Sequence, residues 1–338
     1  MIRQLTLSAP PRPLRDPDLP SNTRTLSMQR LESPTRPSTI EDLLDPRLVA
    51  RLSQLDITSR KILAGKLKGE RRSKRRGQSV EFADHRAYVA GDDLRHVDWN
   101  IFGRLDRLFL KLFLEEEDLS LHIVVDCSAS QDCGTPSKFV LCQKLACALG
   151  YISLANLHRL TVSTIGGVDA EGTPMVSSAI RDLRGRRRLP DLVRFLTALR
   201  PGGGAPFTEA CKRISATRRG KGVMLIVSDF LIKEGYDDGL RLLLGGGYDL
   251  FAIQVLAPQE LEPDIGGDLR LKDTEDADLA EVTITAPLLK KYKDTLAAYC
   301  ARLREFCARR EITLQTVPSS TPVDVLVLDY LRRRGMLA

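Results

Sequence analysis

Two short apolar runs that each end in an aspartate place the strongest constraint on the fold of this chain. The first run covers residues 119–125 and is followed by Asp126, and the second begins at Val223 and is followed by Asp229. Runs of this length that are rich in β-branched residues and closed by turn residues are typical of buried strands. Helical patterns alternate with such runs from residue 119 to the C-terminus. We therefore predict an α/β fold with a doubly wound, mostly parallel sheet and helices on both faces.

Oxygen-bearing side chains follow these strands. Asp126, Ser128 and Ser130 alternate after the first strand, Thr208 follows the glycine-rich stretch PGGGAPF, and Asp229 ends the second strand. The carboxyl ends of parallel strands share one edge of an open sheet, where such folds bind ligands. Oxygen ligands without sulfur or imidazole suit a hard cation such as Mg²⁺ or Mn²⁺. The five residues predict a metal site, although Asp and Ser could instead cap a strand-to-helix turn.

Two motifs carry a resemblance to known families. The order D-x-S-x-S, Thr and Asp resembles the metal-ion-dependent adhesion site of von Willebrand factor A domains. The segment EFADHRAYVAGDDLRHVDWN (Glu81 to Asn100) resembles the signature of the DUF58 family, whose members carry a degenerate A-type domain. The likeness extends from about Gly69 to the C-terminus. Gln131 departs from the methionine usual in the family, and this changes a packing position rather than a ligand.

The resemblance implies a function as well as a fold. It implies a von Willebrand factor A-like domain that binds Mg²⁺ (or Mn²⁺) and, through the metal, an Asp or Glu carboxylate of a partner protein. Proteins of this family are similar to accessory factors of MoxR-type AAA+ ATPases in chaperone-like protein assembly, so such an ATPase or its client is the implied partner. We expect a non-catalytic, cytoplasmic interaction protein.

Composition and pattern divide the chain into three regions. Residues 1–40 are rich in Pro, Ser and Arg and predict a disordered tail. Residues 41–118 combine a helix, a basic segment and the signature region, which is extended or β-rich. Residues 119–338 form the A-like domain, with a β-hairpin insert at 268–285. No apolar span of about 20 residues is present, so no membrane helix is predicted.

Basic residues are unevenly distributed. The chain carries 51 Lys and Arg against 44 Asp and Glu, and the segment from Arg60 to Arg76 has nine basic residues and one acid, Glu70. This run could contact phosphates or anionic lipid, but a solvated segment is the more common reading. Without interleaved aromatic residues, specific nucleic-acid binding is not expected. A second cluster, Arg181 to Arg188, is predicted to flank the metal edge and steer an acidic partner.

Several other residues could have either a functional or a structural role. An acidic cluster in the signature region could bind a second metal or form a salt-bridged loop with neighbouring arginines, and the latter is favoured; its members are Asp92, Asp93, His96 and Asp98. Trp99, the only tryptophan, is predicted to anchor this loop in a core. The seven cysteines show no metal spacing and are read as buried apolar residues in a reduced cytoplasm.

Catalysis is the main competing class. Asp126 could serve a metal-dependent hydrolase or phosphatase, but phosphoryl-accepting aspartates of the dehalogenase type expect a second Asp where Ser128 stands. Ser128 is also outside a G-x-S-x-G elbow. A basic nucleic-acid or membrane-surface binder is the third class. The sequence favours the interaction protein and no enzyme.

Overall fold

A computed structural model gives the fold and describes residues 5–7, 36–59, 81–114, 119–204, 207–217, 222–245, 247–273 and 279–337. The basic segment from Arg60 to Arg76 lies outside the described residues. The chain divides into two compact units, a large one (Met1–Lys61 and Leu119–Ala338) and a small one (Ile62–Asp118). Each unit is described below by itself.

The described residues form strands and helices that alternate along most of the chain. The strands are β1 (Leu5–Leu7), β2 (Glu81–Ala87), β3 (Phe109–Leu114), β4 (Ser120–Asp126), β5 (Arg159–Ile165), β6 (Ala179–Leu183), β7 (Gly222–Ser228), β8 (Tyr248–Leu256), β9 (Gly267–Asp273), β10 (Leu279–Ile284) and β11 (Thr313–Pro318). The α-helices are α1 (Ile40–Leu43), α2 (Pro46–Leu52), α3 (Trp99–Leu105), α4 (Lys138–Ala155), α5 (Leu189–Ala198), α6 (Phe207–Thr217), α7 (Asp237–Leu244), α8 (Pro258–Leu261), α9 (Ala286–Ala308) and α10 (Val323–Val325). A π-helical turn, Leu326–Leu331, continues α10.

A six-stranded sheet in the order β11-β8-β7-β4-β5-β6 forms the centre of the large unit. All neighbouring strands are parallel except β6, which pairs antiparallel with β5. Strands β4 and β7 are buried along their whole length because helices cover both faces. The predicted doubly wound α/β class is confirmed. The edge strand β6 begins at Ala179.

Helix α4 is the central helix of one face. It packs against β4, β5 and the helices α1, α2 and α5, which explains why its sequence is apolar on nearly every side. Although the sequence predicts no membrane helix, α4 is the one helix of the described residues whose length and composition would allow it to cross a bilayer. Of its 18-residue window, 83% is buried inside the unit, as expected of a core helix.

The opposite face is covered by α6, α7 and α9. Their apolar side chains meet those of β4, β7 and β8 in one cluster, in which Phe207, Phe230 and Leu303 are buried. Helix α6 is amphipathic, with buried residues three to four apart that face the sheet. This packing fixes the beginning of α6, and with it Thr208, near the carboxyl ends of the strands.

The N-terminal segment differs from its predicted place. Residues 36–59 belong to the large unit rather than to a 41–118 region, because Leu43, Leu44 and Leu52 are buried and α1 and α2 pack on α4. Within the predicted tail, Leu5–Leu7 form β1 and pair with β9, and residues 8–35 lie outside the described part. The predicted hairpin insert is confirmed as β9 and β10.

The small unit contains the antiparallel pair β2–β3 and helix α3. Its acidic residues form the predicted salt-bridged loop: Asp92 pairs with Arg86 at 3.0 Å, and Asp93 with Arg95 at 2.7 Å. Asp98 caps α3 and contacts His85 at 3.1 Å. The prediction that Trp99 is anchored in a core is wrong, because its side chain is 61% exposed.

Candidate functional site

The two strand-ending carboxylates lie at one edge of the sheet. Strands β4 and β7 are adjacent and parallel, with Val125 opposite Val227, so that Asp126 and Asp229 follow at the same end. Both side chains are buried, Asp126 with only 4% of its surface exposed. The prediction that parallel topology brings these two residues to a common edge is therefore confirmed for the pair.

Serine hydroxyls surround Asp126. Ser128 donates to Asp126 Oδ1 through its backbone N–H at 2.9 Å and through its Oγ at 2.7 Å, and the Ser128 and Ser130 hydroxyls are 2.9 Å apart. On the other oxygen, Ser228 Oγ donates to Asp126 Oδ2 at 2.6 Å. The carboxylate and two hydroxyls of the D-x-S-x-S motif thus converge as the sequence predicts. Gln131, which replaces the usual methionine, lies 3.4 Å from Asp126 Oδ2 through its Nε2.

Lys138 also belongs to this site, although its sequence position did not predict it. Its ammonium is fully buried and donates to Asp229 Oδ2 at 2.7 Å and to Glu260 Oε1 at 2.9 Å. Glu260 also accepts the backbone N–H of Ala257 at 2.6 Å, which ties α8 to the same network. Burial alone would lower the pKa of Lys138, but the charges of Asp229 and Glu260 outweigh burial and hold the pKa above its usual value. Asp229 is therefore bound to a permanent internal cation.

The electrostatic environment of Asp126 is different from that of Asp229. Burial, followed by the negative charge of Asp229, raises the pKa of Asp126 from 3.8 to about 6, although hydrogen bonds from Ser228 and Ser128 oppose the shift. No basic group donates directly to Asp126 in the part of the chain that the structure describes. An additional positive charge at this edge would lower the free energy of the ionised form.

The glycine-rich loop lies against the D-x-S-x-S turn. Gly202 N–H donates to Cys127 O at 3.0 Å, and Ala129 N–H donates to Gly203 O at 3.2 Å. Gly203 has φ +61°, and a Cβ there would come within 2.9 Å of Pro174. The loop leads to Thr208, half-buried in the first turn of α6. Among the described residues, no hydrogen bond joins Thr208 to the other four predicted ligands.

The donor set fits a hard divalent cation in chemical type. Asp126, Asp229 and Glu260 against Lys138 leave two uncompensated negative charges in a buried environment, and a dication would balance them. Within the described ranges no group of three or more His, Cys, Asp or Glu side chains could hold a metal, so such a site would depend on the serine hydroxyls. Lys138 Nζ and Leu231 N–H each donate to one oxygen of Asp229. Asp229 would therefore contribute negative charge to a metal site rather than a free oxygen ligand.

Cys127 lies inside the motif but is not a nucleophile in this environment. Its side chain is 1% exposed, and its pKa is raised well above the usual value, first by burial and then by the charge of Asp126. The thiol therefore remains protonated at neutral pH. All seven cysteines are free in the structure, and five of them are buried.

The arginine cluster does not flank the carboxylate edge, contrary to the prediction from sequence. Since β6 runs antiparallel to β5, Leu183 lies opposite Leu160, at the beginning of β5. The segment from Arg181 to Arg188 is thus at the edge where the parallel strands begin, at the far end from Asp126. Steering of a partner toward the carboxylate edge by these arginines is not supported by their position.

The fold and this edge define an α/β protein with a buried carboxylate–hydroxyl site at the carboxyl ends of two central parallel strands. The chain belongs to the DUF58 family, described as "protein of unknown function DUF58", whose model matches residues 84–301. It is similar to uncharacterized proteins of Mycobacterium tuberculosis and Mycobacterium bovis, each 29% identical over 306 residues, which cover 88% of this chain and 93% of each relative.

Two solved structures match the chain at low sequence identity. The conserved hypothetical protein BatB from Bacteroides thetaiotaomicron is 11% identical, with a TM-score of 0.39 over 64% of this chain and 98% of that one. The pilus adhesin SpaC from Lactobacillus rhamnosus GG, in an open conformation, is 9% identical, with a TM-score of 0.39 over 66% of this chain and 30% of that one.

Proposed function

We propose that the protein is a non-catalytic interaction module whose Asp126 edge binds a divalent cation, and that this cation binds a carboxylate of a partner protein. The observation that carries the proposal is the hydrogen-bonded series at the end of β4, in which Ser128 Oγ lies 2.7 Å from Asp126 Oδ1 and 2.9 Å from Ser130 Oγ. The two uncompensated charges of the buried network favour a dication at the same place. The von Willebrand factor A-like resemblance assigns Mg²⁺ or Mn²⁺ to this arrangement.

Some residues of the site would supply negative charge, and others would supply neutral oxygen ligands. Asp126 would supply the negatively charged oxygen, Ser128 and Ser130 the neutral ones, and Asp229 the second charge, held in place by Lys138. Thr208 follows the glycine-rich loop and lies in the first turn of α6. Its hydroxyl would be the remaining oxygen ligand. When bound, the metal supplies an exchangeable position that an Asp or Glu of the partner could fill.

The partner would therefore be recognised by an acidic side chain. Within the proposal, the family resemblance directs the search toward a MoxR-type AAA+ ATPase or a client of such an ATPase. The buried thiol of Cys127 and the hydroxyl and amide neighbours of Asp126 favour binding over covalent catalysis at this edge.

The first test concerns the metal. We expect Mg²⁺ or Mn²⁺ to raise the Tm of the whole chain progressively with the logarithm of its concentration above Kd. A ligand that binds only the folded state stabilises it, by about 2.7 kcal/mol at one hundred times Kd. Asp126→Asn should abolish this rise in Tm. Ser130→Ala should raise the Kd for the metal about tenfold, since one ligand is lost. Ser53→Ala, which removes a hydroxyl bound only to Ala50 O beyond α2, is the matched control. An unchanged response in Asp126→Asn would remove this edge from the metal site.

The second test concerns the partner. Proteins retained from a lysate on the immobilised chain in Mg²⁺ buffer should be released by EDTA and should not bind the Asp126→Asn variant. Thr208→Ala shows whether α6 takes part: a weaker retention with an unchanged Tm would assign Thr208 to the site. Retention that survives both EDTA and Asp126→Asn would contradict a metal-mediated contact with a carboxylate.

A further inference from the structure

A cavity opens at the end of the central strands opposite Asp126. It has a volume of about 360 Å³ and lies where β4, β5 and β8 begin, next to the last turn of α6. Alternate residues of a strand point to one face. On β4, Val124 belongs to the apolar cluster under α6, whereas Ser120 and His122 precede it on the same face. Since α6 ends at Thr217, this polar part of the face remains open.

The floor of the cavity is polar and buried. His122 is 2% exposed, and its Nε2 lies 2.8 Å from Ser163 Oγ on β5. Tyr248 Oη on β8 donates to Ser120 Oγ on β4 at 3.3 Å, across the intervening strand β7. Polar side chains at buried positions usually serve a network or a ligand, because their desolvation is otherwise unfavourable. The hydroxyls of Thr161 and Thr217 add further groups to the lining.

Positive charge is concentrated at the rim. Arg159 at the beginning of β5 and Arg181 on β6 both line the cavity. The acid there, Asp182, accepts from Arg159 Nη1 at 3.4 Å, and both side chains are partly exposed. Two guanidinium groups against one carboxylate leave the cavity with a net positive charge, and the neighbouring segment to Arg188 adds to the field.

We propose that this cavity binds a small molecule that carries a phosphate group. Guanidinium groups bind phosphate with paired, charge-assisted hydrogen bonds, and hydroxyls can donate to the remaining oxygens. Donors surround the cavity from β4, β5, β6 and α6, which suits a tetrahedral anion better than a planar carboxylate. The volume falls in the range of small-molecule pockets, about 300–1,000 Å³. The site is separate from the Asp126 edge, since the two lie at opposite ends of β4.

The test measures, by calorimetry in metal-free buffer, the binding of inorganic phosphate and of adenosine monophosphate to the full chain. Saturable binding is expected, and Arg159→Gln and Arg181→Gln should each raise Kd about tenfold or more, because each removes a charge-assisted contact. Arg194→Gln, on the exposed face of α5, is the matched control and should leave Kd unchanged. Tighter binding of the nucleotide would identify a phosphorylated small molecule, and equal binding would identify phosphate itself.

A substitution that should strengthen phosphate binding completes the test. Asp182→Asn should tighten phosphate binding several-fold, because it removes the negative charge at the rim and releases Arg159 from its pairing. Asp182 has φ +55°, a conformation that asparagine tolerates, so the substitution suits the backbone. Absence of saturable binding, or binding unchanged in both arginine variants and in Asp182→Asn, would overturn the proposal. Phosphate binding that persists in Asp126→Asn would show that the outcome does not depend on the metal edge.

Discussion

Lys138→Met should destabilise the protein by about 3–5 kcal/mol, the usual effect of removing one partner from a buried ion pair. Asp229 and Glu260 would remain buried without their counter-ion, next to a third carboxylate, Asp126. Methionine has a similar length and fills the space, so the loss would come from charge rather than from a cavity. Urea unfolding at neutral pH measures the effect.

The matched control is an exposed pair. Arg241→Met removes the contact with Asp238 at 3.1 Å on the surface of α7 and should change stability by less than about 1 kcal/mol. Adding Asp229→Asn and Glu260→Gln to Lys138→Met should restore much of the lost stability, because no unpaired charge then remains. Equal effects of Lys138→Met and Arg241→Met would contradict a central role for the buried network.

The second large effect concerns Asp126 in the metal-free protein. Burial and the charge of Asp229 raise its pKa from 3.8 to about 6, so the folded state holds this proton more tightly than the unfolded state. The resulting stability is fully present below about pH 4 and is lost as the pH rises through 6. Two units of pKa correspond to about 3 kcal/mol. Asp126→Asn should therefore be more stable than the natural protein in EDTA at pH 7, by up to about 3 kcal/mol.

The difference in stability between Asp126→Asn and the natural protein reports on Asp126 and not on the other carboxylates. It should be small at pH 4 and increase toward pH 7, and saturating Mg²⁺ should reduce it by stabilising the natural protein alone. The substitution keeps the local hydrogen bonds possible, since the buried Gln131 Oε1 has no partner and can accept from the new amide. A variant that is less stable than the natural protein at pH 7, with no dependence on pH, would contradict the assigned cause.

The sheet and its carboxylates were predictable because both follow from local patterns. β-Branched runs define β4 and β7, and parallel topology alone brings Asp126 and Asp229 to one edge. The Lys138 network was not predictable in the same way. Its partner Glu260 is 122 residues away in sequence and is placed by a short helix, α8, whose position depends on the complete sheet. A lysine at the first position of a mostly apolar helix was the available signal.

Two other predictions failed because they depended on tertiary structure. The Arg181 to Arg188 segment was placed at the wrong edge because its sequence does not reveal that β6 is antiparallel. Trp99 was expected in a core, as its hydrophobicity suggests, but the described side chains of the small unit bury few apolar residues, such as Val97 and Leu110. Burial of an aromatic residue requires enough surrounding chain, which the residue itself does not encode.

Lys138 is also the first residue of α4, and this position gives the buried ion pair a mechanical consequence. The helix has 18 residues and so extends about 27 Å through the core. At its other end, Asn156 Nδ2 donates to Leu55 O at 2.7 Å. A closely packed helix transmits displacement along its axis with little loss. Lys138 at one end and Asn156 at the other thus attach the carboxylate edge and residues 36–59 to the same helix, so we expect a displacement of α4 to change both contacts.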